Sequence, residues 1–192
     1  MIARIATVVV SLWIASPSTP VLRAQASTVI FVRHAEKAAT PTAADPDLSD
    51  VGRARVGELV AALAHFHLDA VYVTEYRRTR QTGDSIALAQ HLVPMVVATK
   101  GDAKVYAAAL ALELRRLPPG SSALVVGHSN TVGPVIAALG GPRVPDLCDG
   151  EYATLYLLEL AGDKLPPRLL RANYGPPDTA EGVACSHKMR LP

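Results

Sequence analysis

The stretch Thr28-Val-Ile-Phe-Val-Arg-His-Ala-Glu-Lys37 places the tightest constraint on what this chain can become. Val29 to Val32 is a short run of β-branched and aromatic residues, the pattern of a buried strand. It stops at Arg33-His34, where a fixed cation meets the one common side chain that titrates near neutrality. A pair of that kind is a poor structural terminus and a serviceable anion site. On its own it also fits the blander account that strand ends are often polar.

The rest of the chain supplies more strands, and helices between them. Ala38 to Asp47, rich in Ala, Thr, Pro and Asp, reads as a loop. Leu48-Ser-Asp-Val-Gly-Arg53 then opens a helix with Ser49 or Asp50 as N-cap, and Val56, Leu59, Val60 and Leu63 make its buried stripe. Ala70 to Thr74 is a second strand, followed by a helix from about Arg78 to Gln90. Val93 to Ala98 is a third strand, and Lys100 to Ala103 a turn into a helix with Tyr106, Leu110, Leu114 and Leu117 on one face. Pro118-Pro-Gly120 ends that helix. Ala123 to Val126 is the fourth strand, stopping at Gly127-His128-Ser-Asn130, and Val132, Val135, Ile136 and Leu139 stripe the last helix. Tyr152 to Leu160 and Arg168 to Tyr174 read as strands paired across Gly162-Asp163.

Alternating strands and helices in 192 residues, with no internal repeat, predict one α/β domain whose helices cover a mostly parallel sheet. Ligands of such sheets collect outside the carboxyl ends of the strands. Three strands end there in informative residues: the first at Arg33-His34, the second just before Arg77-Arg78, the fourth at His128. A neutral imidazole can attack phosphorus directly and split one difficult displacement into two. Planar guanidinium groups bind phosphate oxygens bidentately and offset their charge, the part magnesium plays in other phosphoryl transfers. A second histidine can donate to a further oxygen. The set therefore points to phosphoryl transfer without a metal.

Arg33-His34-Ala-Glu36, Leu48-Ser49 with Gly52-Arg53, Arg78-Thr-Arg-Gln-Thr82 and Gly127-His128-Ser129 resemble, in this order, the motifs of the histidine phosphatase superfamily, phosphoglycerate mutase-like branch. The blocks span Thr28 to Tyr174. The resemblance implies a three-layer α/β/α sandwich and a phosphomonoesterase working through a phosphohistidine. It implies His34 as nucleophile, Arg33 and Arg78 as phosphate clamps and His128 as the pocket's second histidine, with no cofactor and no metal. Arg77 and Arg80 match no role and read as solvated or salt-bridged. Where the acid-phosphatase branch carries its proton donor, directly after the second histidine, this chain has Ser129. The mutase-like branch places it after the third strand, which points to Asp102, with Glu75 and Glu36 as rivals. Asp102 equally suits a plain helix cap. A mutase, or a non-catalytic phosphate or phospho-sugar binder using the same clamp, are the competing functions. The expected partner is a phosphorylated small molecule such as a sugar phosphate, with a phosphoprotein still open.

Residues 1–26 read as a signal peptide: Arg4, an apolar run from Ile5 to Ala15, and the A-x-A site Ala24-Gln-Ala26. The run is short for a membrane span, although an uncleaved anchor remains the alternative. Cleavage near Ala26 leaves residues 27–192 as the functional domain with a Pro-rich tail, exported to a periplasm or secreted. It also lowers the formal net charge from +2 to zero, which gives no reason to expect nucleic acid as a partner. In an oxidising compartment the two cysteines, Cys148 and Cys185, are expected to bond, closing a loop worth about 3 kcal/mol; two separate thiols are the alternative. His65 and His67 lack a third ligand for a metal, and His91 and His187 read as surface residues.

Overall fold

The computed structural model describes residues 26–39, 44–161 and 165–179. Residues 1–25 of the segment expected to be a signal peptide, together with Cys185 and His187, lie outside the described residues.

Strand β1 (Ser27–Arg33) alternates its side chains between two cores. Val29 and Phe31 pack into one, while Ile30 and Val32 pack into the other. Helices α1 (Asp50–Ala62) and α2 (Arg77–Ala89) close the Ile30 side; α3 (Ala103–Arg115) and α4 (Val132–Ala138) close the Phe31 side. The result is the expected three-layer arrangement. The remaining strands are β2 (Ala70–Val73), β3 (Met95–Val96), β4 (Ser122–Gly127), β5 (Thr154–Leu160) and β6 (Arg168–Asn173).

The sheet order is β3-β2-β4-β1-β5-β6. The four strands from β3 to β1 pair in parallel, while β5 and β6 run antiparallel, so the sheet is mixed. Two consequences follow. The strands bearing Arg33-His34, His128 and the approach to Arg78 are neighbours, with β4 in the middle. And β5, being antiparallel, starts at the edge where β1 ends, with Leu155 beside Val32. The loop feeding β5 therefore arrives at the same rim as the parallel strands' carboxyl ends.

Two elements are shorter than expected. The third strand is only Met95–Val96, at the sheet's edge: Pro94 offers no N–H to a ladder, and Val93 is almost fully exposed. Tyr152 lies ahead of β5, because its N–H and that of Ala153 donate to the Asp178 carboxylate at 2.7 and 2.6 Å. Among the described residues no helix is long and apolar enough to cross a membrane.

Candidate active site

The motif blocks place the site's frame before they place its chemistry. Ser49 caps α1 by accepting the Gly52 N–H at 3.0 Å, and its own N–H bonds the Glu36 carbonyl at 2.9 Å. Gly52 sits so close to Glu36 that a Cβ there would lie 2.1 Å from the Glu36 carbonyl oxygen, so only glycine fits. Gln81 accepts the Leu48 N–H at 2.8 Å and donates to Asp47 at 2.6 Å. Thr82 accepts the Ala35 N–H at 3.1 Å and donates to the Arg78 carbonyl at 2.8 Å. Glutamine and threonine in Arg78-Thr-Arg-Gln-Thr82 thus clamp α2 to the backbone around His34. Arg77 pairs with Asp47 at 2.8 Å and Arg80 is exposed, as expected of residues outside the pocket.

An open, polar pocket of about 400 Å³ lies over these strand ends, and Arg33, His34, Arg78, His128 and Asp102 all line it. The two imidazole centroids are 5.4 Å apart. His34 places Nδ1 2.8 Å from the Ala35 carbonyl, an acceptor only, so Nδ1 carries the proton. Its Nε2 then holds the lone pair and accepts from Arg78 Nε at 3.2 Å. Arg78 spreads its other donors to Asp45 at 3.3 Å and to His128 Nδ1 at 3.5 Å.

Arg33 is held from the other side. Its Nη1 donates to the carbonyls of Cys148 at 2.7 Å and Glu151 at 3.3 Å, and its Nη2 faces Asp149 at 3.5 Å. The Tyr152 ring stacks 4.3 Å from its guanidinium, as Tyr76 does on Arg78 at 4.4 Å. Arg33 Nε is buried without an acceptor. Apart from Cys148, expected only as a disulfide partner, this loop from Cys148 to Tyr152 was not among the expected site residues. Its acidic and aromatic composition was the available signal, but nothing local marks β5 as antiparallel. Asp45 and Tyr76 were missed for the same reason: neither lies in a motif block. Cys148 is buried and not a free thiol; its bonding to Cys185 remains a proposal.

Burial lowers both histidines. His34 falls from 6.5 to about 3: desolvation leads, the Ala35 hydrogen bond opposes it, and Arg33, His128 and Arg78 add repulsion. His128 falls to about 4 through desolvation and then Arg78, with Glu75 opposing. Both are uncharged at neutral pH. An unfolded chain binds more protons than the folded one below pH 6.5, so this stability is fully present above 6.5 and is lost as pH falls towards 4 and then 3. At pH 5 each histidine should cost roughly 2 kcal/mol. Urea unfolding at pH 7 and pH 5 checks this: the double variant His34→Asn/His128→Asn is expected to lose much less stability between them than the parent.

Each of the three carboxyls expected as proton donors is engaged by hydrogen-bond donors. Asp102 caps α3, accepting the N–H groups of Val105 at 2.9 Å and Lys104 at 2.8 Å. Those two donors hold it below the usual carboxylate range, the opposite of the shift a general acid needs. Glu75 is raised by burial, but bonds from the Thr99 N–H and hydroxyl outweigh this and keep it ionised. Glu36 faces Arg55 at 2.8 Å and does not line the pocket. The helix-cap account of Asp102 is therefore the one the geometry supports.

The other described histidines have no comparable setting. His67 pairs with Asp69 at 3.3 Å in solvent, and His65 and His91 are exposed. Among the described residues no three His, Cys, Asp or Glu side chains are grouped to hold a metal.

Fold and pocket together define a three-layer α/β protein with two uncharged imidazoles and two guanidinium groups at adjoining strand ends. Residues 29–100 match the family model described as histidine phosphatase superfamily (branch 1). That stretch, which carries Arg33, His34 and Arg78, is similar to this superfamily. No curated protein sequence matches it. Among solved structures it is similar to a mycobacterial glucosyl-3-phosphoglycerate phosphatase, at 15% identity and a TM-score of 0.59, covering 79% of this chain and 100% of that one. A putative phosphohistidine phosphatase SixA from Nakamurella multipartitia shares 20% identity at TM-score 0.56, over 80% and 99% of the two chains. The protein histidine phosphatase SixA complexed with tungstate shares 17% at TM-score 0.59, over 76% and 96%.

Proposed function

We propose that the protein is a metal-independent phosphatase that hydrolyses phosphomonoesters through a phosphohistidine on His34. The observation that carries this is the orientation of His34: an uncharged ring whose Nδ1 proton is tied to the Ala35 carbonyl, so the Nε2 lone pair faces Arg78 and the pocket. A phosphoryl group entering there would take over the Arg78 donors now spent on His34 and Asp45, and would supply the acceptor that Arg33 Nε lacks. Nε2 then attacks phosphorus, the bond to the leaving oxygen breaks, and that oxygen keeps the electron pair. Water cleaves the phosphohistidine in the second step. The guanidinium groups offset the charge of the transferring oxygens throughout.

The pocket's rim, with Lys37, Thr99, Asn130 and Asp149, suits a hydroxyl-rich substrate such as a sugar phosphate. That choice accords with the named activity of the mycobacterial neighbour on a glucosylated phosphoglycerate. Export, with residues 27–192 acting in a periplasm or outside the cell, is part of the same proposal. Rapid quenching with p-nitrophenyl phosphate tests the core of it. A phosphoryl group should be trapped on His34, acid-labile and base-stable, and turnover should persist in excess chelator. Phosphate binding with no turnover on sugar, nucleotide and aryl phosphates would favour the binding-domain alternative instead.

Because Asp102 is a cap, Asp102→Asn should keep turnover on both activated and unactivated phosphoesters, far from the loss of about 10²-fold or more that removing a general acid brings. Asp102→Ala should lower the thermal midpoint by uncapping α3, again without selective loss on poor leaving groups. A selective loss of alkyl phosphate turnover in Asp102→Asn would restore Asp102 as the donor.

A further inference from the structure

Behind His128 lies a buried chain of hydroxyls that the reaction as proposed does not use. His128 Nε2 is 3.0 Å from Thr74 Oγ1, which is 2.8 Å from Thr79 Oγ1. Both threonines have no solvent exposure. Thr79 Oγ1 lies 2.8 Å from the Tyr76 carbonyl and 3.2 Å from that of Thr74.

The direction of this chain follows from its two ends. Carbonyls only accept, so the single Thr79 hydroxyl proton goes to one of them. Thr79 Oγ1 is then the acceptor for the Thr74 hydroxyl, and Thr74 Oγ1 the acceptor for His128 Nε2–H. At the other end of the ring, Arg78 only donates, so the Nδ1 facing it at 3.5 Å is unprotonated. Two independent neighbours therefore select one tautomer. The lone pair of His128 points to the pocket, which makes this ring an acceptor there, whereas a clamp for phosphate oxygen would be a donor.

Resting on the phosphohistidine reading above, we propose that Thr74 and Thr79 are positioning residues that lock His128 as its Nε2–H tautomer, so that Nδ1 takes the proton of the water hydrolysing the phosphoenzyme. In that step the water oxygen bonds to phosphorus and the bond from phosphorus to His34 Nε2 breaks, its electron pair returning to Nε2. One water proton goes to His128 Nδ1, and inorganic phosphate leaves with the other. The imidazolium formed keeps its Nε2–H on Thr74 and returns its Nδ1 proton to solvent once phosphate departs. No carboxylic acid is required for this half of the reaction.

Nitrogen-15 NMR of the histidine rings at neutral pH reads the tautomer without reference to activity. The intact protein is expected to show His128 protonated on Nε2. Thr74→Val, equal in shape but lacking the hydroxyl, should give a mixture of tautomers, and Thr74→Ser should restore the single form. In rapid-quench experiments with p-nitrophenyl phosphate, Thr74→Val should release a burst of p-nitrophenol and accumulate phosphohistidine. Its hydrolysis should slow by roughly 10²-fold, the scale of one lost general base. Thr79→Val should fall between Thr74→Val and the parent. A His128 protonated on Nδ1 in the intact protein would overturn the proposal, as would phosphoenzyme hydrolysis at the parent rate in Thr74→Val. Failure to trap any phosphoryl group on His34 would instead overturn the phosphohistidine reading, and the NMR result would still stand or fall by itself.

Discussion

Replacing His34 with alanine is expected to lower kcat/KM on p-nitrophenyl phosphate by on the order of 10⁴-fold or more, about 5.5 kcal/mol of transition-state stabilisation, with the fold retained. The size follows from what the residue supplies. The lone pair of His34 Nε2 meets Arg78 Nε at 3.2 Å, whereas that of His128 faces Arg78 Nη2 at a longer 3.5 Å and the threonine hydroxyls behind it are buried. The fold should survive because the two hydrophobic cores are built from the strand interiors and the helix stripes, and His34 sits at the strand's end outside both clusters. Arg78→Ala should cost somewhat less, on the order of 10³-fold, since Arg33 still neutralises part of the transferring charge. Arg78→Lys should recover little of that loss. One ammonium cannot reach His34, Asp45 and His128 at once, as the planar fork does at 3.2, 3.3 and 3.5 Å. Steady-state kinetics with a circular dichroism check on folding decides it. If His34→Ala kept activity within about tenfold of the parent, a different nucleophile would have to be sought.

The parts of the site that could be read in the sequence share one property: their signal is local. Val29 to Val32 is a strand because adjacent residues are apolar on both faces, and it ends at Arg33-His34 because the polarity changes there. Ser49 and Gly52 announce a helix start at a spacing of three, and the structure adds why glycine is needed, namely the backbone of Glu36 beneath it. Arg78 could be found because Gln81 and Thr82 follow it, although both turn out to hold the frame and neither enters the pocket.

What stayed hidden depends on strand direction and on contacts far apart in the chain. Arg33 meets Cys148, Asp149 and Glu151 more than 110 residues away, and only because β5 runs antiparallel to β1. Hydrophobic alternation in Thr154–Leu160 is the same for either direction, so no pattern within β5 reports it. The capping role of Asp102 was hidden for the converse reason. Its position after the third strand suits a proton donor, but the fate of a carboxyl is set by which N–H groups point at it, and those of Lys104 and Val105 do.

The same long-range loop makes Glu151 the residue whose loss should destabilise the protein most. Its side chain is almost wholly buried and accepts from Arg171 Nη2 at 2.6 Å, Thr154 Oγ1 at 2.8 Å, and the Cys148 N–H at 3.0 Å. Glu151→Ala would leave the Arg171 guanidinium, three-quarters buried, without a counter-charge. Breaking a buried pair from one side costs about 3–5 kcal/mol; the partial exposure of Arg171 argues for the lower end, still a large share of the roughly 5–15 kcal/mol that holds a domain folded. Activity should fall as well, because the carbonyls of Cys148 and Glu151 that hold Arg33 Nη1 lie on the segment this carboxylate anchors. The two effects can be separated. The double variant Glu151→Met/Arg171→Met removes the stranded charge and should regain most of the stability, since apolar replacement of a buried ion pair is often neutral or better. It should not regain activity, because the Glu151 carboxylate that accepts the Cys148 N–H is still gone and Arg33 still lacks its fixed cradle. Denaturant unfolding and kcat/KM on one substrate measure both. If the double variant unfolded as easily as Glu151→Ala, the stranded charge would not be the source of the loss; if it recovered full turnover, the Cys148 to Tyr152 loop would not be what positions Arg33.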